Sequence, residues 1–111
     1  MNTLAAGLAL THPSEVAFRG TVLDAPHLFF GRPTQSWHEA FHVRADDGSA
    51  VEIVDNVTIA PQIPVVPGDR IGVLGELVPE TARGPLVHWT HHDPAGEHAA
   101  GYLELNGRRY A

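Results

Sequence analysis

Cysteine is absent from this 111-residue chain, and so is lysine; all seven basic side chains are arginines. Without cysteine there is no disulfide framework, no zinc–thiolate centre and no iron–sulfur cluster. Without lysine, Schiff-base chemistry and the phosphate-binding lysine of a P-loop are excluded. Positive charge is scarce as well: 13 Asp and Glu leave a formal net charge of −6. A surface that grips a phosphate backbone carries a basic excess, so this balance disfavours nucleic acid, and an anionic membrane surface equally. No apolar run approaches the roughly 20 residues needed to span a bilayer. The apolar stretch at 4–10 has no basic residue ahead of it, the first arginine being Arg19, so it lacks the n-region of a secretory signal. These features predict a cytoplasmic protein.

What remains is ordinary globular material, 43% apolar and 18% charged, of a length that makes one domain. Eleven glycines and nine prolines predict frequent turns and no long helix. Residues 1–15 read as an N-terminal arm or short helix packing on the body, residues 16–111. The body reads as short strands. "FRGTVLDA" (18–25) and "HLFFGRP" (27–33) each stop at a proline. "HEAFHVRA" (38–45) sets Phe41, Val43 and Ala45 against His38, His42 and Arg44, a period of two. "AVEIVDN" (50–56) alternates again, and Asp46-Asp47-Gly48-Ser49 between the two makes a hairpin turn rather than a calcium loop. Three prolines between 61 and 67 exclude a central strand there. "RIGVLGEL" (70–77) places Ile71, Val73, Gly75 and Leu77 on one face. "LVHWT" (86–90) reads as a strand, and Asn106-Gly107 as the turn of a last hairpin. Strands at this spacing predict an all-β fold, a small five- to six-stranded barrel like that of oligonucleotide/oligosaccharide-binding (OB) proteins, with an N-terminal arm.

Four of the eight histidines fall in "VHWTHHDPAGEH", residues 87–98. Were the strand to continue, His88 and His92 would share a face; the turn after Asp93-Pro94 would bring His98 back, and His38 and His42 share a face of another strand. Convergence of His88, His91, His92, Asp93 and His98 would suit a divalent metal such as Zn, Ni, Mn or Fe. The spacing matches no established zinc motif; HExxH needs a helix and a glutamate. The competing structural reading has these imidazoles bonding to carbonyls and Asp93 accepting amides in an Asx turn. Ser14, Ser36 and Ser49 lack the glycines of a nucleophile elbow, which argues against a serine hydrolase. Phe29, Phe30 and Trp37 offer a stacking surface.

The run "VHWTHHDPAGEHAAGYLELNGRRY" resembles the C-terminal signature of a small bacterial family catalogued as a domain of unknown function, DUF3465: a His-Trp-Thr-His-His-Asp-Pro block, a further His, a Gly-aromatic pair, and Asn-Gly before a tyrosine. Upstream, His38 and Phe41 fit a His-x-x-Phe element; Asn56, Ala60 and Pro61 fit Asn-x-x-x-Ala-Pro; Gly68-Asp69 and Gly75-Glu76 fit Gly-Asp and Gly-Glu. The resemblance covers about residues 18–110 and implies an OB-like barrel. It departs at Asp55, where the family has histidine, at Thr58 (acidic), at Gln62 (arginine) and at Leu77 (aromatic). It also draws Asp55 and Asn56 toward the site.

Two functions follow as expectations. In the first, a metal bound by His88, His91, His92, Asp93 and His98 supports a metal-assisted hydrolase, with His91, His92 and Asp93 catalytic and His38, Asp55, Asn56 and Trp89 binding a small polar ligand. In the second, the chain is a non-enzymatic OB-type module for an oligosaccharide, peptide, single strand or protein partner.

Overall fold

The computed structural model describes residues 1–111. Its order is α1 (Leu4–Leu8), β1 (Ser14–Val22), β2 (His27–Gly31), β3 (Ser36–Ala45), β4 (Ala50–Asn56), β5 (Arg70–Val78), β6 (Leu86–His88), β7 (Tyr102–Leu105) and β8 (Arg108–Tyr110). Five strands close on themselves in the order β1-β3-β4-β6-β5, with β5 pairing back to β1. Every barrel pairing is antiparallel except β4–β6. This is the OB arrangement expected from the sequence, with β2 added beside β3 and the β7–β8 hairpin extending β5.

Closure depends on β1 serving two neighbours. Residues 14–21 pair with β5 and residues 20–22 with β3, so the strand must bend sharply where both partners meet. Gly20 stands at that bend, where a Cβ would lie 2.6 Å from the Arg44 carbonyl oxygen. The strand begins four residues earlier than "FRGTVLDA" predicts. Ser14–Ala17 carry little alternation, and it is pairing with β5 that makes them a strand.

The core-facing residues obey the period-two reading: Phe41 and Val43 on β3, Val51 and Ile53 on β4, Ile71, Val73 and Leu77 on β5, and Val87 on β6. The proline-bearing connection 57–69 is no strand, as its prolines require. It still contributes Ala60, Ile63 and Val65 to the buried interior. The Asp-Asp-Gly-Ser turn forms, Gly48 at φ 91° and Asp47 Oδ1 accepting the Ser49 amide at 2.8 Å.

Thr3 caps α1, its hydroxyl oxygen accepting the Ala6 amide at 3.1 Å. Five residues are too few for a helix to stand alone. Leu4 is buried in the core, and Asn2 hydrogen-bonds to Glu15 and Ala17 on β1, which fastens the segment to the barrel. No helix is long and apolar enough to cross a membrane.

The strand expected at 86–90 ends at His88. Trp89 takes a left-handed backbone conformation, φ 54°, which is costly for a bulky residue and turns the chain off the sheet. Residues 89–92 therefore leave the strand as a strap, and the face shared by His88 and His92 does not arise.

Candidate functional site

The strap and the outer face of the barrel enclose a cleft of about 470 Å³. Its floor is the non-core side of β3 and β4, where alternation points Ser36, His38, Val54 and Asn56 outward. One rim is the β2–β3 turn with Thr34 and Gln35, a second is Thr58 and Ile59, and the third is His88, Trp89 and His91. None of these eleven residues is Arg, Asp or Glu.

A hydrogen-bond network, buried at Ser36 and Asn56, fixes the floor. Asn56 Nδ2 donates to Ser36 Oγ at 3.0 Å, and Asn56 Oδ1 accepts the amides of Thr58 and Ile59. Ser36 and Thr34 share a hydroxyl hydrogen bond of 2.7 Å. His38 stacks on Phe29, ring centroids 5.3 Å apart, and Nδ1 donates to the Ser36 carbonyl at 3.1 Å. Burial lowers the His38 pKa, and the charges of His91 and His88 add to that, outweighing the Ser36 hydrogen bond. His91 Nδ1 donates likewise to the His92 carbonyl at 2.7 Å. A carbonyl can only accept, so in their neutral forms both rings carry the proton on Nδ1 and leave the Nε2 lone pair for the cleft.

Behind the strap, Glu76 binds two imidazoles: His88 Nε2 at 2.8 Å and His98 Nε2 at 3.0 Å. His98 Nδ1 also meets the Ala99 carbonyl at 2.8 Å. Both ring nitrogens of His98 thus face acceptors, which only the imidazolium satisfies. Burial opposes its charge, but the hydrogen bonds to Ala99 and Glu76 and the charges of Glu76 and Asp93 prevail and raise its pKa. For Glu76 burial is likewise outweighed, by the hydrogen bonds from His98 and His88, and its pKa falls. His98 lies flat on Trp89, ring centroids 4.0 Å apart and planes 8° from parallel, so the ion pair supports the Trp89 wall.

The signs of these shifts define a pH window. The raised His98 contributes stability that is full below its unfolded pKa near 6.5 and is lost as pH rises through the folded value. The lowered Glu76 contributes above about 4.5 and is lost as pH falls through its folded value. Glu76→Gln should therefore destabilise most at about pH 5–6, between the two unfolded values, by roughly 1 kcal/mol, and progressively less as pH rises and His98 loses its proton, read by urea denaturation across pH.

The expected metal set does not assemble. No three His, Asp or Glu side chains are grouped as ligands of one ion. His88 and His98 are taken up by Glu76. Asp93 accepts the amides of Ala95, Glu97 and His98 and orders the loop as an Asx turn, its pKa lowered chiefly by the first two. His92 is exposed and outside the cleft. His42 pairs with Asp24, also outside it. Of the expected ligand-binding residues, His38, Asn56 and Trp89 line the cleft, whereas Asp55 points into the barrel. Of the aromatic trio, Phe29 backs His38, while Phe30 and Trp37 pair edge-on away from the cleft. Sequence reasoning passed over Glu76 as a site residue although the Gly-Glu element contains it, and it passed over Glu39 and the hydroxyls of Thr34 and Thr58.

The architecture defines a small OB-type β-barrel with a polar cleft on its second and third barrel strands. The chain belongs to the family described as protein of unknown function (DUF3465), whose model matches residues 14–111. No curated protein and no solved structure matches it.

Proposed function

We propose that the chain is a binding module whose cleft takes a small, neutral, hydroxyl-rich ligand, a mono- or oligosaccharide. The observation that carries this reading is the cleft's lining: polar side chains around an indole, with no charged Arg, Asp or Glu. An anionic ligand would find no fixed cation, and the net charge of −6 would repel a polyanion. A peptide would find no free edge on β3, which is paired with β2 on one side and β4 on the other along the cleft. The Nε2 lone pairs of His38 and His91 call for O–H or N–H donors, which sugar hydroxyls supply, and Trp89 offers a ring to the apolar face of a pyranose. By analogy of fold, OB barrels take oligosaccharides on these same strands. The motif elements His-x-x-Phe, Asn-x-x-x-Ala-Pro and His-Trp-Thr-His meet at this cleft through His38, Asn56, His88, Trp89 and His91.

The metal-assisted hydrolase has less support, since Asp93 is spent on loop amides and His92 stands outside the cleft. Glycan-array screening followed by calorimetry separates the readings. A neutral saccharide should bind with little salt dependence, and His38→Ala or His91→Ala should each weaken it about tenfold, the worth of one hydrogen bond. No saccharide binding, together with a melting shift on adding zinc, would overturn the proposal in favour of the metal reading.

A further inference from the structure

On the opposite side of the same sheet from the cleft floor, Glu39 and Asp55 stand in direct register across β3 and β4, both without solvent exposure. Each has one oxygen satisfied. Glu39 Oε2 accepts the Ile63 amide at 3.0 Å, and Asp55 Oδ1 accepts the Thr90 hydroxyl at 2.7 Å. Each has one oxygen left over: Glu39 Oε1 and Asp55 Oδ2 are buried with no donor from the rest of the chain. Two facing carboxylates would place like charges in a low-dielectric interior, each with an orphaned acceptor. One proton between them cures both defects, because the protonated group donates to the other.

We propose that Glu39 and Asp55 share a single proton and serve as a positioning pair for the cleft, holding Asp55 against Thr90 and, through Thr90, fixing the wall formed by Trp89 and His91. The connection is short. Thr90 is fully buried between those two cleft residues, and its one side-chain hydrogen bond is to Asp55. Asp55 in turn lies between Val54 and Asn56, which form the floor. Floor and wall are tied together at one carboxyl group.

The electrostatic surroundings favour a retained proton. Burial pushes the Glu39 pKa up to about 8 against the lowering effect of the Ile63 amide, with the neighbouring Asp55 carboxyl adding to the rise. Burial raises Asp55 too, against the hydrogen bond from Thr90, the neighbouring Glu39 carboxyl and the charge of His91. From β3 the facing group is Glu39, from β4 Asp55 and from the strap His91; the connection offers the Ile63 amide. The ion-paired arginines are committed elsewhere, Arg19 and Arg109 to Glu104, Arg70 to Asp46 and Arg83 to Glu52. The two carboxyls titrate as a pair rather than singly. When the proton leaves, the carboxylates repel and Asp55 is driven from its place beside Thr90.

The bearing of this pair on ligand binding rests on the reading of the cleft given above, but the positioning itself is testable without a ligand. In full-length protein carrying Trp37→Phe, Trp89 is the sole tryptophan, and its indole N–H can be followed by NMR beside the carboxyl carbons of Glu39 and Asp55. The expected result is a joint carboxyl transition well above the usual carboxylate range, with the Trp89 resonance moving at the same midpoint. Asp55→Asn keeps an acceptor for Thr90 and gives Glu39 a donor, so the Trp89 movement should disappear; Glu39→Gln should do the same from the other side. The idea fails if both carboxyls titrate independently below about pH 5, or if Trp89 is unmoved through their transition. Absence of saccharide binding with this titration intact would sink the ligand assignment and leave the pair standing.

Discussion

Gly101→Ala is expected to destabilise the fold by about 3 kcal/mol, at the upper end of the usual cost of overpacking. Gly101 lies where the chain returns from the histidine loop to β7. Its amide donates to the His91 carbonyl at 2.9 Å. An added Cβ would overlap the Trp89 and Leu74 carbonyl oxygens and press on the Thr90 backbone. These are main-chain atoms of the strap and of β5, so no rotamer change relieves the clash. The strap has to lift, taking Trp89 off its stack with His98. Urea denaturation should show the loss of stability, and the Trp89 fluorescence of a Trp37→Phe background should shift toward that of a solvated indole. Gly96, at φ 70° but with open space where a side chain would go, is the control. Alanine there should cost only the left-handed backbone strain, about 1–2 kcal/mol, and leave Trp89 unchanged. A Gly101→Ala protein as stable as wild type would mean that the strap is not clamped.

Phe41→Ala should cost more, about 3–5 kcal/mol. Phe41 is among the largest fully buried side chains, 1% exposed, and stands opposite Ile53 on β4. The barrel is closed by five strands whose inward side chains fill it, so the vacated volume cannot be refilled by a small movement of one element. A domain of this size has roughly 5–15 kcal/mol in hand, so the variant should sit near its unfolding threshold at 37 °C. The urea midpoint should fall with little change in slope. Because Phe41 and His38 point to opposite faces of β3, the cleft side chains should keep their hydrogen bonds in whatever fraction remains folded.

Much of the barrel was legible because it follows from local rules. The alternation of 38–45 and 50–56, the Asp-Asp-Gly-Ser turn, the Asn-Gly turn and the prolines of 57–69 each state their backbone requirement in the sequence. Ser14–Ala17 do not, since their strand character comes from pairing with residues about sixty positions away. Nor does Trp89: nothing in an indole side chain favours a left-handed backbone, and this one residue decides where β6 ends and where four histidines point. The parallel pairing of β4 with β6 is equally non-local.

The site was legible in part for the same reason. His38, Asn56, His88, Trp89 and His91 do gather, and three of them were visible as a cluster in the sequence. The number of imidazoles said nothing of their partners. Glu76, twelve residues before His88, takes two of them. Alternation places Glu39 on the Phe41 face, but a carboxyl group there contradicts the polar-outward rule, and only Asp55 across the sheet makes sense of it.

The central claim is that an uncharged cleft presents imidazole acceptors to a ligand, and proton-detected NMR of the histidine ring nitrogens tests it most directly. In their neutral forms His38 and His91 should carry their proton on Nδ1, leaving Nε2 bare, and those Nε2 signals should shift when a binding saccharide is added. Protons found on Nε2 of both rings, with no change on adding any neutral sugar, would contradict the account.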